Sequence, residues 1–112
     1  MAVDPGFHAR LAQLIQDERR GMRGFVALLE REEALLVHSQ IDALALLAEE
    51  KTALYRALQR LSDDRVVMFA RLGAKVTNEN IRIVLAGNPE ALTAWSEVVA
   101  LASGRSAGAE IS

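Results

Sequence analysis

Cysteine is absent from this 112-residue sequence, which excludes a disulfide framework and thiolate chemistry. Aromatic residues are scarce, with three Phe, one Tyr and one Trp, and Leu and Ala dominate the apolar residues. Leu and Ala favour helices, whereas strands favour β-branched and aromatic side chains. No segment shows sustained alternation of polar and apolar residues. The composition therefore predicts an all-α protein.

A basic excess is also missing, since the formal net charge is −2 at pH 7 and the pI is near 5.7. Binding to nucleic acid or to an anionic membrane surface requires a basic field, so neither is an expected partner. No apolar run is long enough to insert across a bilayer, and segment 1–10 lacks the regions of a secretory signal. We therefore expect one cytoplasmic domain over residues 1–112.

The first helix is predicted at 4–38, where apolar residues recur at steps of three, four and seven. Asp4 is a suitable N-cap, and Pro5 fits the first helical position. Gly21 and Gly24 fall inside the helix and predict a bend or a weakened turn there. The apolar stripe consists of Phe7, Leu11, Leu14, Ile15, Met22, Phe25, Leu28, Leu29, Leu35 and Leu36.

The second helix is predicted at 40–73. Ser39 and Asp42 have the spacing of a capping box at its start, and Gly73 suits the C′ position at its end. A single long helix is favoured, although Ser62 could mark a kink. Because each helix would otherwise expose an apolar stripe to water, we expect the two to pair as a long antiparallel hairpin. The second stripe consists of Ile41, Leu44, Leu47, Leu54, Leu58, Leu61, Val66, Phe69 and Leu72.

Lys51 lies where the second stripe should be apolar, between Leu47 and Leu54. One interpretation is a lysine whose stem lies along the seam while its ammonium group reaches water. The alternative is an inward charge that pairs with Glu30 or Glu33 of the first helix. Such a pair would fix the register of the hairpin.

Two shorter helices follow, at 78–86 and 89–103. The second begins with Asn88 as N-cap and Pro89 at the first helical position. Residues 105–112 are small and polar, and a flexible tail is predicted there. The expected architecture is therefore a long helical hairpin followed by one or two shorter C-terminal helices.

No pattern in the sequence indicates a catalytic residue, a cofactor site or a metal site. His8 and His38 both lack the Glu-x-x-His spacing found in di-iron helical bundles. Adjacent carboxylates such as Glu49 and Glu50 are interpreted as solvated, because acid–base chemistry would require a desolvated pocket. The sequence therefore predicts a protein that is not an enzyme.

A C-terminal helix that is loosely attached to the hairpin would leave an apolar groove. An amphipathic helix of a partner protein could lie in such a groove with anchors at i, i+3, i+4 and i+7. Trp95 could be such an interface anchor, but packing in the core remains an alternative. The residues predicted to line the groove are Ile81, Leu85, Leu92, Trp95 and Val99.

Segment 11–73 resembles the FlgN family of flagellar type III export chaperones. The residues that carry the resemblance are 25–30, Glu33, Leu35, Asp42, Leu44, Leu47, Glu50, Lys51, Leu54, Leu58, Arg65, Leu72 and Gly73. The resemblance implies a cytoplasmic chaperone, without a nucleotide requirement, that binds the C-terminal helical segment of hook-associated (hook–filament junction) proteins. Such a chaperone prevents early assembly and passes its substrate to the flagellar export apparatus.

The resemblance also implies that the C-terminal helical part grips the substrate, which corresponds loosely to residues 81–101 here. A different class of function stays open beside the chaperone. The two stripes could instead pair with a second copy, which would make the protein a structural coiled-coil adaptor or a self-associating homodimer.

Overall fold

The computed structural model describes residues 5–103, which form four helices and contain no strand. The helices are α1 (Pro5–Val37), α2 (Ile41–Ala70), α3 (Asn78–Val84) and α4 (Pro89–Ala102). This confirms the predicted fold class, a long helical hairpin followed by two shorter helices. The proposed N-cap Asp4 and the tail 105–112 lie outside the described residues. The predicted starts of α3 and α4 are the observed ones, and the other helix ends differ by one to three residues, because terminal turns fray and tighten.

The end of α2 is fixed by a local backbone signal. Gly73 has a φ of 70°, and the amide of Ala74 donates to the Phe69 carbonyl at 3.1 Å. The amide of Gly73 itself donates to the Ala70 carbonyl at 3.0 Å. This is the Schellman arrangement, in which glycine adopts the left-handed conformation at C′ without steric cost. Gly73 therefore has the C′ role that the sequence predicts for it.

The turn between α1 and α2 uses the same arrangement, with serine in the position of glycine. Ser39 has a φ of 54°, and the amide of Gln40 donates to the Leu35 carbonyl at 2.9 Å. Gln40 is consequently the N-cap of α2, and no side chain caps this helix. The capping box predicted from Ser39 and Asp42 is therefore wrong, because Ser39 closes α1 and is not available to begin α2.

The main core lies where the open end of the hairpin meets α3 and α4. The rings of Phe7 and Phe69 meet edge to face there, with centroids 5.6 Å apart, and so join the start of α1 to the end of α2. Burial of this cluster is the main stabilising contribution in the molecule. Its members are Phe7, Leu11, Ile15, Phe69, Ile81, Val84, Leu85, Ala91, Ala94, Trp95 and Val98.

The other half of the hairpin extends away from this core and gives the molecule a long axis of 54 Å. Leu28 and Leu47 are buried between α1 and α2 in this half, whereas Leu36 and Leu46 remain exposed. Two helices alone cannot cover both sides of their seam. The hairpin is therefore well packed at one end and thinly packed at the other.

The two glycines inside α1 lie against α2. A Cβ atom on Gly21 would come within 2.7 Å of Leu58 Cδ2, and one on Gly24 would lie 3.4 Å from Leu54 Cδ2. The helix continues through both positions. The glycines therefore allow close approach of the two helices, which the sequence-based prediction of a bend did not anticipate.

Alanine at these two glycines is expected to have different effects on the free energy of unfolding. Gly24→Ala should raise it by roughly 1 kcal/mol, because alanine favours the helix and the new Cβ makes an ordinary contact. Gly21→Ala should leave it nearly unchanged, because the Leu58 side chain must move to make room and this cost offsets the gain in helix propensity. Urea unfolding followed by circular dichroism measures both changes, and equal gains in the two variants would contradict the close approach at Gly21.

Candidate functional site

The residues predicted to line a partner groove are mostly part of the core. Ile81 and Leu85 are fully buried, and Trp95 is only 6 % exposed. Leu92 is half-buried and packs against the core, while Val99 is 36 % exposed. Direct contact between a partner and Ile81 or Leu85, as predicted, is therefore not available in this structure. The physical reason is that α3 packs its apolar face onto the ends of the hairpin and α4.

An open, apolar-walled depression does exist nearby, where α4 lies across the hairpin. It has a volume of about 420 Å³, and we call it the α4 cleft. Met22 of α1, Leu58 of α2 and Val99 of α4 supply apolar side chains from three different helices. The full set of lining residues is Glu18, Met22, Leu58, Ser62, Arg65, Trp95, Val98, Val99, Ala102 and Ser103.

A buried polar cluster lies at this cleft. Arg65 Nη1 donates to both carboxylate oxygens of Glu18, at 2.6 Å to Oε1, and Nη2 donates to Ser62 Oγ at 3.3 Å. The guanidinium also lies 4.9 Å from the centroid of the Trp95 ring, a cation–π arrangement. Trp95 Nε1 in turn donates to Asn78 Oδ1 at 2.6 Å. These contacts tie α1, α2, α3 and α4 together beneath the cleft.

Burial raises the pKa of the Glu18 carboxyl, and the charge and hydrogen bonds of Arg65 oppose that rise. Removing a carboxylate from water is costly unless an opposite charge compensates it. Arg65 supplies that charge, and both side chains are almost fully enclosed. Loss of either Glu18 or Arg65 should therefore lower the stability of the fold.

A second ion pair joins α1 to α4 near the same cleft. Arg23 Nη2 donates to Glu97 Oε1 at 2.6 Å, and Arg23 Nε donates to Oε2 of the same carboxylate. This bidentate hydrogen bonding holds the pKa of Glu97 below its usual value and raises that of Arg23. The pair is more exposed than the Glu18–Arg65 pair, so it orients α4 more than it stabilises the fold.

Lys51 pairs across the hairpin with Glu32, not with the predicted Glu30 or Glu33. Its Nζ lies 3.2 and 3.1 Å from the two carboxylate oxygens of Glu32. Glu32 is one helical turn beyond the buried Leu28 and so faces the seam, whereas Glu30 and Glu33 are exposed. Of the two interpretations of Lys51, the structure has the interhelical pair, but with Glu32 as the acidic partner.

A second apolar surface flanks the turn between α1 and α2 at the far end of the hairpin. Its large side chains are 59 % to 73 % exposed. We call this surface the apolar tip, and it consists of Leu36, Val37, Ile41 and Leu46. Sequence reasoning missed it, because it assigned every stripe residue to the seam. The consecutive run Leu35, Leu36 and Val37 was the available signal, since a helix can turn only part of such a run inward.

Two other kinds of site are not found in the part of the chain that the structure describes. Residues 5–103 contain no cluster of three or more histidine or acidic side chains that could hold a metal ion. No helix within the same residues has both the length and the apolar character needed to cross a membrane.

Comparison with known proteins gives one match. A family model described as "FlgN protein" matches residues 1–104, which is most of the chain and includes all four helices. No curated protein and no solved structure matches. The match extends well beyond segment 11–73, on which the resemblance was based, and covers the helices that form the α4 cleft.

Proposed function

The chain belongs to the FlgN family, and from this premise we propose that it binds the C-terminal helical segment of hook-associated proteins before export. Membership implies a general role as a flagellar export chaperone, in a family that is not known for enzymatic activity. Binding would cover the apolar face that the substrate later uses for assembly, and so prevent premature assembly. The family match over residues 1–104 is the observation that carries this proposal.

The α4 cleft is the proposed site for the substrate helix. Met22, Leu58 and Val99 give it apolar walls, and an amphipathic helix binds such walls through anchors spaced one turn apart. The flexible thioether of Met22 would let the wall adapt to different anchors. Val99 is the residue of the predicted groove that lines the cleft and is also exposed. The proposed binding site therefore still involves α4, although most residues that line the cleft differ from those predicted to line the groove.

The proposal includes a cellular order of events. The chaperone would hold its substrate in the cytoplasm and then pass it to the flagellar export apparatus. A cleft that is open to solvent supports such a transfer, because a guest bound by a few apolar anchors can dissociate without unfolding of the host.

Val99→Asp is expected to weaken binding of the substrate segment by about tenfold or more, because it places a charge in an apolar wall. The measurement is isothermal titration calorimetry of the full chain with C-terminal peptides of the hook-associated proteins from the same genome. Ile83→Asp is the matched control, since Ile83 is an exposed apolar residue on α3 outside the cleft. Its affinity should stay within about twofold of the unchanged protein.

Equal affinities in the Val99→Asp and Ile83→Asp variants would reject the cleft as the substrate site. Failure of every hook-associated peptide to bind would reject the substrate class itself. Sedimentation at low and high protein concentration addresses the alternative of a self-associating adaptor. A stable dimer that does not bind these peptides would favour that alternative.

A further inference from the structure

At the apolar tip, four large apolar side chains are exposed to water close to the turn between α1 and α2. Leu36, Val37, Ile41 and Leu46 flank the turn, and a shallow depression of about 320 Å³ lies beside them. This depression is lined by side chains of α1 and α2 only, including Ala34, Leu35 and Ala43. Large apolar side chains that are exposed near one turn of the chain are a feature of interaction sites.

The charge around the tip indicates what kind of partner fits it. Segment 30–51 contains six acidic and two basic residues, so its formal charge is −4 with histidine neutral. The two bases are both used, because Arg31 pairs with Glu50 at 3.4 Å and Lys51 pairs with Glu32. Within segment 30–51, the acids that form no ion pair with another residue of 5–103 are Glu30, Glu33, Asp42 and Glu49.

The rest of the described chain has the opposite balance. Segments 5–29 and 52–103 together contain ten basic and seven acidic residues, a formal charge of +3. The negative charge is thus concentrated at one end of a molecule 54 Å long. The length of the molecule greatly exceeds the screening length of about 8 Å at physiological salt. Basic residues at the core end therefore do not neutralise the negative potential around the tip.

We propose that the apolar tip is a docking surface for a basic amphipathic helix of a partner protein. The apolar face of that helix would cover Val37, Ile41 and their neighbours, and its lysines or arginines would meet the unpaired carboxylates. A second copy docked tip to tip is disfavoured, because it would place two acidic segments in contact. The inference rests on the tip alone and is independent of the substrate proposed for the α4 cleft.

The test uses two synthetic helical peptides of about 18 residues, or five turns. They share one leucine face, and their polar faces carry lysine in one peptide and glutamate in the other. Fluorescence anisotropy with the full chain should show that the lysine peptide binds at least about tenfold more tightly than the glutamate peptide. The double variant Val37→Ser and Ile41→Ser should lose about tenfold or more of that affinity.

Charge reversal separates the acidic field from the apolar contact. Glu33→Lys with Glu49→Lys should weaken binding of the lysine peptide by about tenfold, through the loss and reversal of complementary charge. Asp63→Lys with Asp64→Lys is the matched control, because it makes the same net change on exposed positions of α2 away from the tip. That control should change the affinity by less than about twofold.

Three outcomes would overturn the proposal. The first is similar affinity for the lysine and glutamate peptides, and the second is unchanged binding by the variant at Val37 and Ile41. The third is a dimer of the unchanged chain, seen by sedimentation, that the same variant converts to monomer. That result would mean that a second copy covers the tip. All of these tests can fail while hook-associated peptides still bind at the α4 cleft, so failures of the two proposals are distinguishable.

Discussion

Arg65→Met is expected to lower the free energy of unfolding by about 3 kcal/mol near pH 7, because it leaves the Glu18 carboxylate buried without its counter-charge. The pair is almost fully enclosed, and Arg65 also donates to Ser62 and stacks on Trp95. Urea unfolding followed by circular dichroism measures the loss as a lower midpoint at an unchanged slope. Arg23→Met removes the more exposed pair with Glu97 and should cost much less.

The loss should depend on pH in a way that identifies its cause. Burial already raises the pKa of Glu18, and the removal of Arg65 should raise this pKa further. A carboxyl with a raised folded pKa contributes stability that is complete below its unfolded pKa, about 4.3, and is lost as pH rises through the folded value. The variant should therefore be closest to the unchanged protein near pH 4 and diverge from it toward pH 7.

A double variant tests whether the unpaired charge of Glu18 causes the loss of stability. Glu18→Leu combined with Arg65→Met removes both charges, so the double variant should be close in stability to the unchanged protein. A loss that is equal at all pH values, and that the double variant does not recover, would contradict the role of the buried charge. Such a result would assign the loss to the contact between Arg65 and the Trp95 ring.

Several parts of the fold that have a local cause were predicted from the sequence, although the capping box at Ser39 was not among them. Asn88, the predicted N-cap of α4, accepts from the Ala91 amide at 3.1 Å. Gly73 at the end of α2 is a second example. Each of these signals joins residues that are no more than five apart, so no tertiary information is needed to interpret them.

Predictions that depend on how a helix is rotated about its axis were less successful. Successive residues of a helix differ by about 100° in direction, so choosing between Glu30, Glu32 and Glu33 as the partner of Lys51 requires the rotation of α1 to within one residue. The rotation is set by packing along the whole seam, including the close approach at Gly21. Periodicity alone therefore allows an interhelical pair at Lys51 without identifying its acid.

The orientation of a whole short helix at the candidate site was also not predictable from the sequence. Ile81 and Leu85 are apolar residues on a short helix, and the sequence cannot specify whether that helix faces the core or a partner. In the structure Ile81 and Leu85 face the core, and the open apolar cleft is lined by α1, α2 and α4 instead. Burial of a short helix depends on the shape of the surface it meets, which is a tertiary property.

Trp95→Ala is expected to lower the free energy of unfolding by about 3 to 4 kcal/mol, as is usual for the loss of a buried tryptophan. Trp95 is 6 % exposed, and its ring packs in the main core and against the guanidinium of Arg65. Its Nε1 also donates to Asn78 Oδ1 at 2.6 Å. Thermal or urea unfolding of the full chain measures the change, with the exposed Val66→Ala as a control that should stay within about 0.5 kcal/mol.

Two further measurements separate a core role of Trp95 from a role as an interface anchor. Trp95→Phe keeps a ring for Arg65 and for the core but loses the hydrogen bond to Asn78, so it should cost only about 1 to 2 kcal/mol. Asn78 Oδ1 retains a second donor in that variant, Arg82 Nε at 3.2 Å. Binding of hook-associated peptides, measured where Trp95→Phe is still folded, should be nearly unchanged. A stability loss below about 1 kcal/mol in Trp95→Ala, together with an affinity at least tenfold weaker, would instead make Trp95 a binding hot spot.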